Sequence, residues 1–297
     1  MFGKDNRLSR RRFVAGTGLA AAGGLLLPRM SLGASSTLDR IKSTGTVAVG
    51  IANERPYGFV ETDGRLVGAI PDIILAALEP HGVTSMKAEI AEFNALIPGL
   101  NAERFDVIGA GMYIRPKRCQ AIAFTNPVTR AGYGFAALKG NPKGLHSVDD
   151  LAKHADAVVG TQNGSAQVEV LANAAVPKER IVLFTNATEA LAGLKAQRCD
   201  VIYFPGLELG DLLKTDNDPA VERVQGFQQV ILESGEPDYG YSALGIRKAD
   251  KDLKDVLNAE IAKMLASGRL LEIISAYGYG PDELPTAEDT EARLCKA

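Results

Sequence analysis

Val47-Ala48-Val49-Gly50-Ile51 is the first of several short runs rich in β-branched residues, and helical patterns separate these runs. Met86 to Ile90 and Phe105 to Ala110 are the next strand candidates. Between the first two strands, Pro71 to Leu78 begins with a proline suited to a first helical turn and stops before Pro80-His81-Gly82. Alternating strands and helices predict an α/β fold in which helices cover parallel sheets.

The second half of the chain restarts the same pattern. Its predicted strands are Ala157 to Gly160, Ile181 to Phe184 and Asp200 to Phe204, and its predicted helices are Gly164 to Ala175, Ala187 to Ala196 and a short helix after the capping residue Ser147. Two further helices are predicted, one from Asn94 to Asn101, with Pro98 tolerated in its first turn, and one from Asp252 to Tyr277. Because no polar, low-complexity linker separates the halves, we expect two lobes that share crossover strands.

The first thirty-four residues are predicted to be an export signal that takes no part in the fold. Ser9-Arg10-Arg11-Arg12-Phe13-Val14 resembles a twin-arginine motif, and an uncharged run from Ala15 to Pro28 follows it. That run is too short to span a bilayer, and the small residues from Ser31 to Ser35 suit cleavage. We therefore expect a periplasmic protein, with a basic disordered tail as the alternative.

The composition argues against nucleic acid, a metal and a disulfide framework. The net charge of −3 falls to about −8 without the basic first segment, so the chain lacks the basic surface that binds polyanions. Cys119, Cys199 and Cys295 have no Cys-x-x-Cys spacing and leave at least one thiol unpaired. The three histidines show no metal-site spacing, and we expect neither a metal nor a cofactor.

Motifs spread from Leu38 to Gly280 carry a family resemblance. They are Val47-Ala48-Val49-Gly50, Gly64-Arg65-Leu66-Val67-Gly68, Phe93-Asn94-Ala95-Leu96-Ile97-Pro98-Gly99-Leu100, Arg104-Phe105-Asp106-Val107-Ile108-Gly109-Ala110-Gly111-Met112, Arg118, Ala123-Phe124-Thr125 and Ile273-Ile274-Ser275-Ala276-Tyr277-Gly278. Each is weak alone. Together they resemble the periplasmic solute-binding proteins of family 3, the receptors of polar amino-acid ABC importers.

The resemblance implies the two-lobed periplasmic binding protein fold of type II, with a βα sheet in each lobe and a ligand cleft at the hinge. The chain would cross between lobes near Val128 to Gly132 and near Pro237 to Tyr241. Lobe one would then comprise residues 36–130 and 240–297, and lobe two residues 131–239. Hinged lobes can close over a small ligand and present a new surface. We expect a monomer that passes a small zwitterion to a membrane permease.

Arg118 is the first candidate for ligand binding. The resemblance implies that it grips a carboxylate, and a planar guanidinium can make two parallel hydrogen bonds to such a group. A surface arginine is the alternative, since other basic residues lie beside it. Gly164 and Ser165 match the family's second carboxylate contact and follow the candidate Asn163. A helix predicted to begin there would offer free N–H groups to an anion, although a glycine can also simply make a turn.

Three aromatic residues fall on ligand positions of the family: Tyr57, Phe93 and Tyr113, the last of them after Gly111, which is also a candidate. The family usually has a small hydroxyl residue in place of Tyr113. Three rings can form a box for a delocalised cation, with Glu54 as the counter-charge. Core packing is the alternative for each ring taken singly.

A second departure concerns the acid that usually follows the strand of lobe two and pairs with an α-ammonium. Here Asp200 to Phe204 runs into Pro205, and Glu208 lies three residues further on, where we expect its side chain to point along its helix. These features are similar to the ectoine and hydroxyectoine receptors of the family, as are the motifs Ala52 to Tyr57 and Gly111 to Cys119. Ectoine or hydroxyectoine is therefore the favoured ligand.

Other functions remain open. An ordinary polar amino acid or another compatible solute is the first alternative ligand. A few proteins of this fold are periplasmic dehydratases, but Arg118 is expected to hold Glu54 ionised and thus make it a poor proton donor. A receptor-kinase sensor would need a membrane span after residue 280, and Pro281 to Ala297 is short and charged. We therefore expect a binding protein and no enzyme.

Overall fold

A computed structural model describes residues 35–296 of the protein, and the export signal predicted for residues 1–34 lies outside them. The strands are β1 Thr46–Ile51, β2 Phe59–Val60, β3 Leu66–Val67, β4 Ser85–Ile90, β5 Val107–Ile108, β6 Ala123–Phe124, β7 Thr129–Ala131, β8 Tyr133–Leu138, β9 Val159–Gln162, β10 Ile181–Phe184, β11 Val201–Pro205, β12 Val221–Arg223, β13 Gly240–Ser242 and β14 Gly245–Ile246. The α-helices are α1 Thr37–Thr44, α2 Ala69–Leu78, α3 Leu96–Asn101, α4 Pro116–Cys119, α5 Val148–Lys153, α6 Ala166–Asn173, α7 Ala187–Lys195, α8 Gly206–Asp216, α9 Lys251–Ser267, α10 Arg269–Ser275 and α11 Glu291–Leu294. Short 3-10 helices cover Glu79–His81, Phe93–Ala95, Lys178–Arg180 and Pro281–Glu283.

Lobe one is built on a five-stranded sheet with the strand order β4-β1-β5-β14-β6. Strand β1 runs parallel to β4 and β5, whereas β14 pairs antiparallel with β5 and β6. Its largest core cluster joins β1 to α2, α9 and α10 through fully buried side chains such as Ile73, Leu257 and Ile274. Since β14 comes late in the chain, the chain returns to lobe one after forming lobe two.

Lobe two has the strand order β10-β9-β11-β8-β12, with β9 parallel to β10 and β11, and β8 antiparallel to β11 and β12. Two of its helices, α5 and α7, begin after residues whose side chains cap the first turn. The Ser147 hydroxyl accepts a hydrogen bond from the backbone N–H of Asp150 at 2.9 Å, which confirms the predicted cap. Asn186 caps α7 in the same way.

The two passages of the chain between the sheets lie side by side. Strands β7 and β13 pair antiparallel, with Ala131 opposite Gly240. Strand β7 precedes the first strand of the second sheet and β13 follows its last one. The α/β architecture with two sheet lobes is confirmed, and the expected lobe boundaries, which fall at this two-stranded ribbon, stay a prediction.

Most predicted strands and helices are present, and their bounds differ for local reasons. Strand Ile181–Phe184 is confirmed, whereas the strand expected from Ala157 to Gly160 lies two residues further on. The prediction of one helix from Asp252 to Tyr277 is wrong. Gly268 adopts a left-handed φ of 80°, which ends α9 before α10 begins.

One disulfide, between Cys119 and Cys295, links α4 to the residue that follows α11. The expectation of no disulfide framework therefore misses a single long-range crosslink. Cys199 is free and buried, as the odd number of cysteines requires, and burial raises the pKa of its thiol to about 12. No helix within residues 35–296 is long and apolar enough to cross a membrane.

Candidate ligand-binding cleft

A cavity lies between the lobes, with about 320 Å³ of empty space that includes its opening to solvent. The lining residues from lobe one are Glu54, Tyr57, Phe93, Ala110, Gly111, Tyr113 and Arg118, and those from lobe two are Gln162, Ser165, Ala166, Gln167, Pro205 and Glu208. Nearly all of these positions lie at or just beyond the carboxyl ends of β1, β4, β5, β9 and β11. This edge of an α/β sheet is where ligands commonly bind, because the loops there converge on the crevice.

Arg118 is half-buried in the cleft wall, where it forms hydrogen bonds but no ion pair with any described residue. Its Nη1 donates to the carbonyl of Tyr113 at 2.8 Å, and its Nη2 donates to the carbonyl of Gly164 at 2.9 Å. Among the described residues no carboxylate lies within 4.0 Å of it, whereas the neighbouring Arg115 pairs with Asp238 at 3.1 Å. Burial, and then the charge of Arg115, lower the pKa of Arg118 to about 10. It is therefore a charged group facing the cleft, not a surface arginine.

Short local elements hold this guanidinium in place. It belongs to the four-residue helix α4, which begins with Pro116, and the disulfide of Cys119 follows it directly. The Phe93 ring lies under the guanidinium, with its centroid 5.5 Å away. The contacts to Tyr113 and Gly164 come from opposite lobes, so Arg118 bridges the cleft.

Glu54 also lines the cleft, from the loop after β1. Its backbone N–H and carbonyl both bond to Gly58, at 3.0 Å each, which fixes the loop. The amide of Gln162, from lobe two, donates to the Glu54 carboxyl group. Burial raises the pKa of Glu54 to about 7, against the smaller lowering effect of Gln162. The expectation that Arg118 holds Glu54 ionised is therefore wrong, because desolvation dominates.

Glu208 is the cleft residue whose placement the sequence misjudged. It lies in the first turn of α8, is only 5% exposed and lines the cavity, whereas its side chain was expected to point along the helix. Its Oε1 has no hydrogen-bond partner among the described residues. Burial first, and then the charges of Glu54 and Asp211, raise the pKa of Glu208 well above its usual value. The cleft thus has an acid from lobe two after all.

The three predicted aromatic residues all line the cavity. Tyr57, Phe93 and Tyr113 are 5%, 9% and 4% exposed, so each ring also packs against protein. Gly111 has a φ of 64°, and a Cβ on it would lie 2.3 Å from the Tyr57 ring, so glycine is required for this approach. Tyr113 also meets the Tyr133 ring edge-on, with 6.0 Å between the centroids. Core packing and a ligand box are therefore compatible at this place.

Several polar atoms of the cleft lack partners. The hydroxyls of Tyr57 and Tyr113 are buried without a hydrogen bond to any described residue, as is Oε1 of Glu208. Burial raises the pKa of both phenols well above the usual value. Buried polar atoms without partners are costly, so atoms placed in this way mark where a ligand's donors would be stabilised.

The three candidates around the start of α6 are placed differently from one another. Ser165 is the residue before the helix and lines the cavity, whereas Gly164 contributes its carbonyl to Arg118. Asn163 is exposed and lines a second pocket together with Asn94. The predicted helix start at Gly164 is two residues early, since Gly164 has a φ of 77° and forms a turn.

The cavity also has lining residues that the sequence did not indicate: Ala110, Gln162, Ala166 and Gln167. Gln162 ends β9, and Ala166 and Gln167 begin α6. A glutamine at the end of a strand is a common residue, and its role depends on which loop lies opposite. The sequence could have indicated Gln162 only if the predicted strand had ended at this residue. The predicted strand ended two residues before it.

Two lobes around a polar, ring-lined cleft define a receptor for a small solute. Residues 47–280 match the sequence profile of the bacterial extracellular solute-binding proteins, family 3, and the chain belongs to this family. It is thus a solute-binding protein of the two-lobed type.

Three similar proteins illustrate the range of the family. A probable amino-acid ABC transporter periplasmic-binding protein, y4tE of Sinorhizobium fredii, is 29% identical over 280 residues, which cover 93% of this chain and 91% of that protein. The L-arginine-binding protein of Pseudomonas aeruginosa is 28% identical over 263 residues, or 87% of this chain and 95% of that one. The crystal structure of EhuB in complex with hydroxyectoine matches with a TM-score of 0.78 and 33% identity over 87% of this chain and 97% of that chain.

Proposed function

We propose that the protein captures a compact zwitterion, with ectoine or hydroxyectoine favoured, and delivers it to the membrane permease of an ABC importer. One observation carries the proposal: a guanidinium with no carboxylate within 4.0 Å among the described residues lines the same cavity as a buried carboxyl group and three aromatic rings. The similarity to EhuB, solved with hydroxyectoine, supports this choice of ligand. Export by a removable signal and action as a periplasmic monomer belong to the same proposal.

The anionic group of the ligand would be held at Arg118. Its guanidinium uses two N–H groups on the carbonyls of Tyr113 and Gly164, and further donors remain for a carboxylate. The first N–H groups of α6, beside Ser165, have no acceptor within the helix and lie in the same wall. A carboxylate would supply the missing counter-charge in this partly desolvated place.

The cationic group would be held between the rings and Glu54. The partnerless hydroxyls of Tyr57 and Tyr113 offer acceptor lone pairs, and so does the partnerless oxygen of Glu208. A cation with N–H groups can satisfy them, whereas a quaternary ammonium cannot. This favours the cyclic amidinium of ectoine over glycine betaine, and the flat ring fits an aromatic box.

The test is calorimetric titration of the purified protein with ectoine, hydroxyectoine, glycine betaine, glutamine and arginine. We expect ectoine or hydroxyectoine to bind most tightly. Tyr113→Ala should weaken that binding by about 1 to 3 kcal/mol, the range for losing a dry ring face and its packing. The matched control, Tyr113→Phe, keeps the ring and loses only the hydroxyl. A clear preference for glutamine or arginine would overturn the ectoine proposal and leave the family membership intact.

A polar amino acid is the second candidate ligand, and one observation favours it. Glu208 brings a carboxyl group from lobe two to the cleft, where an α-ammonium group could bind it. Because Glu54 has its pKa raised to about 7, the cleft also holds a group able to donate a proton, so a dehydratase must be tested separately. We expect the solute to be recovered unchanged after incubation with the protein, and a dehydrated product would show catalysis.

A further inference from the structure

Two carboxyl groups enter the cleft from opposite lobes. Glu54 comes from the loop after β1, and Glu208 comes from the first turn of α8, directly after β11. Both line the same cavity. The amide of Gln162 donates to one oxygen of Glu54, while Oε1 of Glu208 has no partner among the described residues. Two acids from different lobes thus share one desolvated place.

The surroundings of this pair contain more negative than positive charge. Glu208 lies within electrostatic reach of Glu54, of the phenols of Tyr57, Tyr113 and Tyr279, and of Asp211 on its own helix. Among the described residues that line the cavity, Arg118 is the one cationic side chain. Neither carboxyl group has a basic side chain within 4.0 Å in the described part of the chain. Two like charges that share one cavity and act on each other in a place with little water cannot both ionise at low cost.

We propose that Glu208 and Glu54 form an acid pair across the closed cleft, which holds one proton when the ligand has a single cationic centre and none when it has two. The charge balance follows from the lining residues, given the ligand-binding role proposed above. Arg118 neutralises the ligand carboxylate, and one cationic centre neutralises one carboxylate of the pair. The second acid must then take a proton from solvent, unless a second cationic centre replaces that proton.

The pair therefore distinguishes two classes of solute by proton uptake. A zwitterion such as ectoine should bind with the uptake of close to one proton, since both acids are ionised at neutral pH while the cleft is open to water. A cationic amino acid such as arginine should bind with little or none. Glu208 thus determines how well the receptor binds a ligand that carries a second positive charge.

The experiment measures binding heats of ectoine and arginine at pH 6.5 in phosphate and in imidazole buffer, which differ in ionisation enthalpy. The difference in heat gives the number of protons taken up. For the wild type we expect uptake with ectoine, and an affinity for ectoine that weakens about tenfold per pH unit from pH 5.5 to 7, as linkage requires for one proton. The amide of Glu208→Gln mimics the protonated acid. In this variant the proton uptake with ectoine should vanish, and so should the change of ectoine affinity with pH. Arginine should bind the variant at least about tenfold more weakly than the wild type, because one negative charge is missing.

Asp216→Asn is the matched control, since Asp216 ends the same helix, is exposed and does not line the cavity. It should keep the proton uptake of the wild type. Equal uptake and equal pH slopes in the wild type and Glu208→Gln would overturn the acid pair, as would absent uptake in both.

A readout without ligand separates this inference from the proposed function. If none of the panel of solutes binds, the proposed function fails, and the acid pair is judged on the unliganded protein alone. Acids whose pKa is raised only in the closed form favour that form less as the pH rises through that pKa. The radius of gyration of the unliganded wild type should therefore rise relative to that of Glu208→Gln between pH 5 and 8. An equal radius for the two proteins at every pH would contradict the pair.

Discussion

Replacing Arg118 by lysine is expected to weaken ligand binding and also to make it depend on pH. The guanidinium makes two hydrogen bonds to main-chain carbonyls of opposite lobes and still has donors for a ligand. A single ammonium group cannot make both of these hydrogen bonds and also bind the ligand carboxylate in the same geometry. Arg118→Lys should therefore lose about 2 to 4 kcal/mol of binding free energy at pH 7. This corresponds to a loss of affinity of about 30-fold to 1,000-fold.

The pH dependence follows from the surroundings of the same group. Burial and the charge of Arg115 lower the pKa of Arg118 from 12.5 to about 10, so the arginine stays charged at pH 9. A lysine that starts from about 10.4 and meets the same desolvation would titrate near pH 8. The variant should therefore lose about another tenfold in affinity between pH 7 and 9, whereas Arg118 in the wild type adds no such loss.

Calorimetric titration of the variant at pH 7, 8 and 9 measures both effects. Arg65→Lys serves as the control, because Arg65 is exposed and pairs with Asp63 far from the cleft lining. Near-normal affinity in Arg118→Lys at pH 7 would refute the carboxylate grip. If the variant loses affinity at pH 7 as expected but loses no more between pH 7 and 9 than the wild type does, the desolvation argument is refuted.

Three further outcomes are expected. Small-angle scattering should show a smaller radius of gyration with a saturating ligand than without it, and an unchanged radius would argue against the hinge. Cys119→Ser combined with Cys295→Ser should lower the free energy of unfolding by about 3 to 5 kcal/mol, because the disulfide closes a loop with a sequence separation of 176. Equal denaturation midpoints for this variant and the wild type would contradict the expectation. In the closed form Glu54 has its pKa raised to about 7, so its contribution to the stability of that form is fully present below pH 4.5 and is lost as the pH rises through 7. Relative to Glu54→Gln, the unliganded wild type should lose about 3 kcal/mol of closure free energy over that range, seen as a larger radius of gyration in small-angle scattering, and an equal radius at every pH would disprove the shift.

Much of the fold could be predicted because its strands are short apolar runs bounded by helices. Strand Ile181–Phe184 is an example, since its period and flanks allow no other element there. The break at Gly268 was missed because apolar residues continue at helical spacing beyond it, from Leu270 to Ile274. A glycine within a helical pattern has no effect on that pattern unless its φ turns positive, and this depends on packing.

In the cleft, too, the sequence indicates some residues and misses others. Arg118 and Tyr57 were identified because they stand in motifs whose neighbours fix the backbone. The orientation of Glu208 could not be predicted, because it depends on α8 following β11 without an intervening loop. Nor could the pairing of Cys119 with Cys295, since residues so far apart in sequence are brought together only by the tertiary fold.

The hydrogen bond from Arg118 to the Gly164 carbonyl affects how much of the receptor is closed without solute. It joins the two lobes through protein atoms alone, so its free energy, about 1.5 kcal/mol for a charged donor, favours closure whatever solute is present. That amounts to roughly a tenfold rise in the closed fraction. Discrimination among solutes must then come from the rings and acids of the cleft. The arginine itself sets a basal level of closed receptor, which would compete with loaded receptor for the proposed permease and limit how fast scarce solute is imported.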